Sequence, residues 1–454
     1  MKKTIIFLVI ILAFHGFLIT KLIFFPYPEF FVLPYLTNQG LVPYKQILDQ
    51  HFPGLMYLPI NFDNLGMTTS EIARVWLIAV TLLTQIMLFI TARKIFKSDK
   101  KALGVCLFYL LVQPFFEGWV FWIENFLPLF YLPAFYLSYK FITDKKKHSY
   151  YIVLIGLLMG LSILFKQVAL PLAFLLGALL FYYQRNLKTI FLYLIGLLPI
   201  PILMVVYFWL LGALKEFWFW GVWFNLTTYA KYGRPKPDLA SITRVIGVFS
   251  PILLIPLINN HKLSLLLVVF LIGSLAGTLD RFGFIHFQPA LPFLALIIVS
   301  SLPWLWGKLI GKLLIVGYFL VLIYWLNIFF RGHLSSKVLF FDQPTFEISQ
   351  KIKSLTKPKE EIFIFGPVPH LYQLSQTIPA GRIFVYQFPW FLMESEDKFV
   401  MVLKTSTPSL VVRDRSVIID GQSITKFAPK LDYYIEQNYN VIDKIGSTEF
   451  LKRK

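Results

Sequence analysis

Long apolar runs separated by short polar segments fill the first three quarters of the chain. A run of about 18 or more apolar residues is long enough to cross roughly 30 Å of hydrocarbon as a helix. The pattern therefore predicts a polytopic α-helical membrane protein with about eleven transmembrane helices. We place them at residues 5–25, 72–92, 102–116, 125–142, 150–165, 168–184, 189–211, 244–259, 264–279, 286–303 and 313–330.

The pattern changes from about Arg331, where charged residues become frequent. Residues 331–454 contain 17 Lys/Arg and 13 Asp/Glu, a balance typical of water-exposed domains. Short apolar runs at 361–365, 383–386 and 409–412 predict strands, and helical patterns lie near 344–355, 394–404 and 428–438. We therefore predict a transmembrane core at 1–330, whose first exterior loop is 26–71, and a small C-terminal α/β extracytoplasmic domain at 331–454.

Composition supports the membrane class and excludes several others. Hydrophobic residues make up 57% of the chain and charged residues only 15%, with a mean hydropathy of +0.67. The single cysteine, Cys106, excludes a disulfide within the chain and a cysteine metal cluster. The net charge of +19 does not indicate nucleic-acid binding, because the cations gather in short loops between apolar runs.

The distribution of those cations predicts the orientation. Loops on one side carry most of the lysines and arginines, whereas the opposite loops are richer in carboxylates. Cation-rich loops face the cytoplasm, so the N-terminus is predicted to be cytoplasmic and the C-terminal domain extracytoplasmic. The first apolar run follows Lys2 and Lys3 without a small-residue cleavage site, which favours a retained anchor in the cytoplasmic membrane.

Ionisable side chains on the predicted exterior side are the candidates for chemistry. Glu29, Asp49 and His51 lie in the first exterior loop, and Glu124 begins the fourth predicted span. A carboxylate at a membrane surface is costly and therefore indicates function. A carboxylate could accept the proton of an incoming hydroxyl, if it lies within hydrogen-bonding distance.

Three further candidates lie at the same predicted depth. They are Lys166 between the fifth and sixth spans, Arg281 before the tenth, and His286 at its start. Lysine can neutralise a phosphate as a point charge, and arginine through a bidentate fork. A base, cations and a lipid-facing groove are what sugar transfer from a polyprenyl-phosphate donor requires.

Four motifs in this order resemble the GT-C superfamily of membrane glycosyltransferases. After an acidic residue behind the first helix come G-x-x-P-Y at 40–44, D-x-H-x-P-G at 49–54, G-x-x-x-G-L-x-x-L-x-K-Q at 156–167 and R-x-x-x-x-H-x-x-P-x-x-P at 281–292. The nearest branch would hold the bacterial aminoarabinose transferases and the protein O-mannosyltransferases. The family often has two adjacent acids in the first loop, whereas this chain has Pro28-Glu29.

The resemblance implies an enzyme that takes a sugar from a polyprenyl-phosphate-linked donor, with inversion, on the exterior face. The acceptor would be a lipid-linked glycan, a cell-envelope polymer or a protein. Glu29 would be the catalytic base. Asp49, His51 and Glu124 would bind donor or acceptor, and Lys166, Arg281 and His286 would bind the lipid phosphate. No metal-ligand set is assigned, and participation of a divalent ion stays open.

Each candidate also has a structural interpretation that the sequence leaves open. Glu29 would then be a solvated loop carboxylate, and Asp49 and His51 would be hydrogen-bonded loop residues. Glu124 would be a structural partner of a nearby tryptophan or backbone amide. Lys166 would extend its ammonium group to the interface, Arg281 would pair with Asp280, and His286 would be a satisfied hydrogen-bonding residue.

Two functions of other classes also remain. One is a transporter or flippase of lipid-linked sugars, although no internal repeat of the kind common in transporters is visible. The other is a noncatalytic envelope assembly protein whose exterior domain binds partners.

Overall fold

A computed structural model describes residues 2–144, 148–232 and 236–454, except for the side chain of Asp280. The chain divides into two compact units. We call the first the helical unit; it comprises the described residues within 1–25, 73–204 and 236–337. We call the second the mixed unit; it comprises the described residues within 26–72, 205–235 and 338–454.

Apolar helices dominate the chain from its beginning to residue 333. Their bounds are Lys2–Lys21, Ser70–Phe96, Asp99–Phe115, Leu127–Thr143, Ser149–Phe165, Leu170–Gln184, Leu187–Leu197, Pro199–Leu210, Leu239–Phe249, His261–Ser274, Ala276–Asp280, Leu291–Trp306 and Leu309–His333. Short 3₁₀ turns at Gln167–Ala169, Ser250–Leu257 and Phe284–Ala290 adjoin several of them. A helix therefore occupies each apolar run from which a span was predicted.

Seven of these helical segments are long and apolar enough to cross a membrane in the described part of the chain. An eighth results if Leu187–Leu197 and Pro199–Leu210, bent by 41°, form one span. Pro199 begins the second helix of this pair, and a proline removes a backbone hydrogen bond, which explains the bend. The protein is thus an integral membrane protein, whereas the count of eleven spans stays a prediction, since three apolar helices have only 17 residues.

Close helix packing in the helical unit depends on glycine. A Cβ atom on Gly156 would lie 2.3 Å from the backbone oxygen of Tyr193, and one on Gly160 would lie 2.6 Å from that of Leu197. On the facing helix, a Cβ on Gly196 would lie 2.0 Å from the oxygen of Val153. The helices Ser149–Phe165 and Leu187–Leu197 therefore meet backbone to backbone, as small residues allow in membrane proteins.

The C-terminal part of the mixed unit contains a five-stranded sheet. Its strands lie in the order Tyr439–Ile445, Thr448–Arg453, Leu410–Arg413, Glu361–Phe365 and Ile378–Pro379. The first three pair antiparallel and the last three parallel. The accompanying helices are Gln343–Leu355, Leu371–Ser375, Pro389–Ser406, Ile424–Phe427 and Pro429–Asn438.

The strands and helices predicted for this region are thus present, but one of the predicted strands lies outside the five-stranded sheet. Phe384–Val385 does not join the five-stranded sheet; it pairs in parallel with Ile47–Leu48 of the first loop. The loop and residues 338–454 accordingly belong to one compact unit. The division at 330/331 and the exterior location of the C-terminal segment stay predictions.

Candidate functional site

Glu29 is a buried carboxylate at the start of a short helix in the mixed unit. The helix runs Glu29–Asn38, with Pro28 at the position before it. Proline fixes a backbone angle suitable for beginning a helix. The Glu29 side chain is only 5% exposed. A carboxylate at a helix N-terminus lies at the positive end of the helix dipole, which partly offsets the cost of burial.

Asp49 and His51 form a hydrogen-bonded pair in the same unit. The His51 ring Nδ1 lies 2.9 Å from Asp49 Oδ1, and the His51 backbone amide donates to Asp49 Oδ2 at 3.3 Å. The Tyr57 hydroxyl donates to Asp49 Oδ2 at 2.7 Å, while the Tyr44 hydroxyl donates to the His51 carbonyl at 2.6 Å. Asp49 is completely buried, so these bonds replace the water that its carboxylate has lost.

Tyr386 comes to this cluster through the parallel pairing of the two short strands. Ile47 lies opposite Phe384 and Leu48 opposite Val385, so Asp49 and Tyr386 are the next residues of the two strands. The Tyr386 hydroxyl is buried and has no hydrogen-bond partner among the described residues. Burial raises the pKa of Tyr386, and the negative charges of Glu29 and Asp49 raise it further. The hydroxyl therefore stays protonated and can donate a hydrogen bond.

The surroundings of Glu29 give its carboxyl group an unusual pKa. Burial raises the pKa of Glu29 to about 7, and the Asp49 charge acts in the same direction. The helix amide and His51 act in the opposite direction. A carboxyl group with a pKa near the ambient pH can accept a proton and release it again, as a general base must.

A second cluster of predicted site residues lies in the helical unit. Glu124 is in the 3₁₀ turn Ile123–Asn125, and its Oε1 accepts hydrogen bonds from Lys166 Nζ and His286 Nδ1. The carboxylate and the ammonium group are only 1% and 3% exposed. Glu124 Oε2 has no partner among the residues that the structure describes.

The surroundings of Glu124 shift its pKa in the opposite direction from that of Glu29. Burial alone would raise the pKa of Glu124, but the charges and hydrogen bonds of Lys166 and His286 hold it well below the usual range. The carboxylate is therefore ionised at any physiological pH, and it serves as the counterion of Lys166. A permanently ionised, paired carboxylate is a poor proton acceptor.

The structure thus divides the predicted site residues into two groups. Glu29, Asp49 and His51 lie together in the mixed unit, and Glu124, Lys166 and His286 lie together in the helical unit. Arg281 follows the helix Ala276–Asp280 and precedes the turn that carries His286. Its alternative ion pair with Asp280 involves a side chain outside those described. The catalytic and binding roles of all seven residues stay predictions.

The described residues contain no set of side chains arranged to bind a metal ion. Within residues 2–144, 148–232 and 236–454, no group of three or more His, Cys, Asp or Glu side chains is arranged to hold a metal ion.

Comparisons with known proteins address the fold. A family model described as dolichyl-phosphate-mannose-protein mannosyltransferase matches residues 51–209. The crystal structure of ArnT from Cupriavidus metallidurans in the apo state superposes with a TM-score of 0.64 at 12% identity, covering 98% of this chain and 97% of that one. No curated protein sequence gives a significant match.

Two further solved structures also resemble this chain in fold. ArnT from Cupriavidus metallidurans bound to undecaprenyl phosphate gives a TM-score of 0.60 at 13% identity, covering 98% of this chain and 97% of that one. Arabinofuranosyltransferase AftD from Mycobacteria gives 0.52 at 12% identity, covering 98% of this chain but 40% of the longer AftD. This chain has a GT-C fold. The resemblance inferred from the four motifs is therefore confirmed.

Sequence reasoning missed three residues that the structure places beside the candidates. Tyr57 and Tyr386 belong to the Asp49 cluster, and only the strand pairing reveals Tyr386. Arg244 contacts aromatic rings of the helical unit. It was detectable as a single arginine within an apolar helix, a position that usually indicates function.

Proposed function

We propose that this protein is an integral membrane glycosyltransferase that moves a sugar from a polyprenyl-phosphate-linked donor to a cell-envelope acceptor. The single observation that carries the proposal is the buried Glu29 carboxyl group, whose pKa is raised to about 7. The GT-C fold and the match of residues 51–209 to a mannosyltransferase family model support it.

The proposed reaction is a single displacement at the anomeric carbon. An acceptor hydroxyl oxygen attacks that carbon while the bond to the phosphate oxygen breaks, and the phosphate oxygen keeps the bonding electrons. Glu29 takes the hydroxyl proton, because burial gives it a basicity suited to neutral pH. One displacement inverts the anomeric configuration. Lys166, Arg281 and His286 are proposed to bind the phosphate, since charge-assisted hydrogen bonds stabilise the developing charge.

Asp49, His51 and Tyr386 are proposed to orient the acceptor or donor around Glu29. Asp49 fixes the His51 ring through Nδ1, so the ring has a defined orientation. Tyr386 carries a buried donor without a partner in the described residues, as a hydroxyl that binds substrate would. We further propose that the N-terminus is cytoplasmic and that the reaction occurs on the exterior side, because of the cation distribution.

Reconstitution tests this function directly. The purified protein in liposomes receives a polyprenyl-phosphate sugar labelled in the sugar, together with extracted envelope acceptors. We expect covalent transfer of label and release of the polyprenyl phosphate, with Glu29→Gln as the inactive control. Movement of the labelled lipid across the bilayer without a covalent product would instead identify a flippase. Repeating the assay with a chelator decides whether a divalent ion participates.

A further inference from the structure

The mixed unit contains a segment of π-helix that the apolar pattern did not predict. After a short α-helix at Leu214–Trp218, the chain is wound as π-helix over Phe219–Trp223 and again over Asn225–Tyr229. We call residues 219–229 the π segment. π-Helix is rare in proteins and is frequent at functional sites. The contacts of this segment with the first loop are therefore of interest for the candidate site.

Asn225 connects the π segment to the first loop. Its Nδ2 donates to the Gln50 carbonyl at 2.9 Å and, within the π segment, to the carbonyls of Gly221 at 3.0 Å and Trp220 at 3.3 Å. Since three carbonyl oxygens surround this atom, it is the amide nitrogen, because the amide oxygen could not donate to them. The side chain is buried, and its Oδ1 has no partner among the described residues. The amide group is therefore held through Nδ2 alone.

The Gln50 carbonyl lies between the two members of the Asp49–His51 pair. In that pair, the His51 ring Nδ1 is 2.9 Å from Asp49 Oδ1. The backbone has only two soft dihedral angles per residue, so the orientation of the Gln50 carbonyl limits the directions in which the neighbouring side chains leave the chain. A hydrogen bond that fixes this carbonyl therefore restricts the geometry of the pair.

Further contacts hold the same stretch of the first loop. The Tyr44 hydroxyl donates to the His51 carbonyl at 2.6 Å. The ring of Phe217, in the helix before the π segment, lies 5.1 Å from that of Tyr44 and 5.5 Å from that of Phe52. A Cβ atom on Gly221 would lie 3.3 Å from Phe52 Cε1, so the π segment approaches the loop closely. The bond from Asn225 is thus part of a packed interface around His51.

We propose that Asn225 is a positioning residue of the candidate site. Its Nδ2 holds the Gln50 carbonyl, so that Asp49 and His51 keep the hydrogen-bonded geometry in which they orient substrate around Glu29. The substrate contact of the pair rests on the proposed function, whereas the dependence of its geometry on Asn225 does not. A displacement of about 1 Å in a group that orients substrate can reduce the rate by about 10²-fold, so a residue without substrate contact can still be required.

Nitrogen NMR on the full-length protein in nanodiscs tests the inference without requiring catalysis. Isotope-labelled histidine gives signals from the seven histidines, and His51→Gln identifies the His51 signals by their loss. A carboxylate oxygen accepts from Nδ1 in the wild type, so we expect the Nδ1–H tautomer of the neutral ring. Asn225→Leu keeps the approximate size of the side chain but removes the donor. It should give a mixture of both tautomers.

Two further variants separate positioning from loss of stability. Asn225→Gln retains an amide donor and should restore part of the wild-type spectrum. Thr227→Val is the matched control, because the Thr227 hydroxyl donates to the Trp223 carbonyl at 2.8 Å within the same segment. It should leave the His51 spectrum unchanged. Gly221→Ala, whose Cβ would press on Phe52, should produce a weaker form of the tautomer mixture and replaces Asn225→Leu if that variant does not fold.

Sugar transfer in liposomes gives the second measurement. Asn225→Leu should lower kcat/KM by about tenfold, as for loss of one hydrogen bond, whereas Thr227→Val should match the wild type. The change in the His51 spectrum and the loss of transfer should both be smaller in Asn225→Gln than in Asn225→Leu.

Three outcomes would overturn the inference. Asn225→Leu could keep the wild-type His51 spectrum. Thr227→Val could change that spectrum as much as Asn225→Leu does, which would indicate a general loosening of the π segment. Asn225→Leu could also change the spectrum and still transfer sugar at the wild-type rate. A wild type without sugar transfer, whose His51 tautomer nevertheless depends on Asn225, would overturn the proposed function and leave the placement of the pair by Asn225 standing.

Discussion

Two buried glutamates, one in each unit, show how neighbours decide what a carboxyl group can do. Glu29 and Glu124 are 5% and 1% exposed, so both have lost their water. Burial dominates at Glu29 and raises its pKa to about 7, whereas Lys166 and His286 overcome burial at Glu124 and lower its pKa. Burial by itself therefore does not identify a base; the absence or presence of an adjacent cation separates a proton acceptor from a counterion.

The contrast between the two glutamates predicts that substitution of Glu29 causes the largest loss of activity. Glu29→Gln keeps the size of the side chain but cannot accept a proton, so kcat should fall by about 10²–10⁴-fold. Sugar transfer from labelled donor in reconstituted vesicles measures this. Glu347→Gln, an exposed glutamate of the same unit, is the matched control and should retain full activity. Wild-type activity in the Glu29 variant would remove it as the base.

Breaking the ion pair between Lys166 and Glu124 should mainly lower the stability of the fold. Lys166→Met leaves the Glu124 carboxylate buried with one cation fewer, and breaking a buried pair in this way costs about 3–5 kcal/mol. Thermal unfolding in detergent measures the loss. The double variant Lys166→Met with Glu124→Gln removes both charges and should recover much of it. If the single variant is as stable as wild type, the pair does not stabilise the fold.

The two carboxyl groups should also give pH dependences of opposite sign. Below pH 7 Glu29 is protonated, so kcat/KM should rise through a midpoint near 7 as the base ionises. The pKa of Glu29 is also raised in the folded state, so its protonated form stabilises the fold at low pH. This contribution to the free energy of unfolding is lost as the pH rises through 7. For Glu124 the stabilisation persists at neutral pH and is lost only below the usual carboxyl range.

Two substitutions sharpen this prediction because they move the midpoint in opposite directions. The Asp49 charge raises the pKa of Glu29, so Asp49→Asn should lower the midpoint of the pH–rate profile. His51 lowers that pKa, so His51→Gln should raise the midpoint. Shifts in the same direction for both variants would show that their effect on Glu29 is not electrostatic.

The smallest expected effect is the loss of stability when the hydrogen bond from Tyr57 to Asp49 is removed. Tyr57→Phe removes the hydroxyl that donates to Asp49 Oδ2, and one such bond contributes about 0.5–1.5 kcal/mol. Thermal unfolding should show a small loss. Tyr433→Phe, at a position 68% exposed in the same unit, should cause none. Equal stability of both variants would mean that Asp49 does not need the Tyr57 hydroxyl.

Much of the architecture could be predicted from the sequence, because it depends on local pattern. Apolar runs locate the helices, as for Ser149–Phe165, whose predicted span was 150–165. A short apolar run at 361–365 located the strand Glu361–Phe365. The broken helices were less predictable, since Pro199 within an apolar run is compatible with one kinked span or two helices.

The amino-acid sequence determined the membrane class, the helix positions and the ionisable residues, because composition and periodicity are properties of neighbouring residues. Only the tertiary structure decided which charges meet. The pairing of Phe384–Val385 with Ile47–Leu48 brought Tyr386 to Asp49, and Lys166 and His286 converged on Glu124 from distant segments. The pKa of a buried group depends on these contacts across the chain, so its chemistry is decided by the fold.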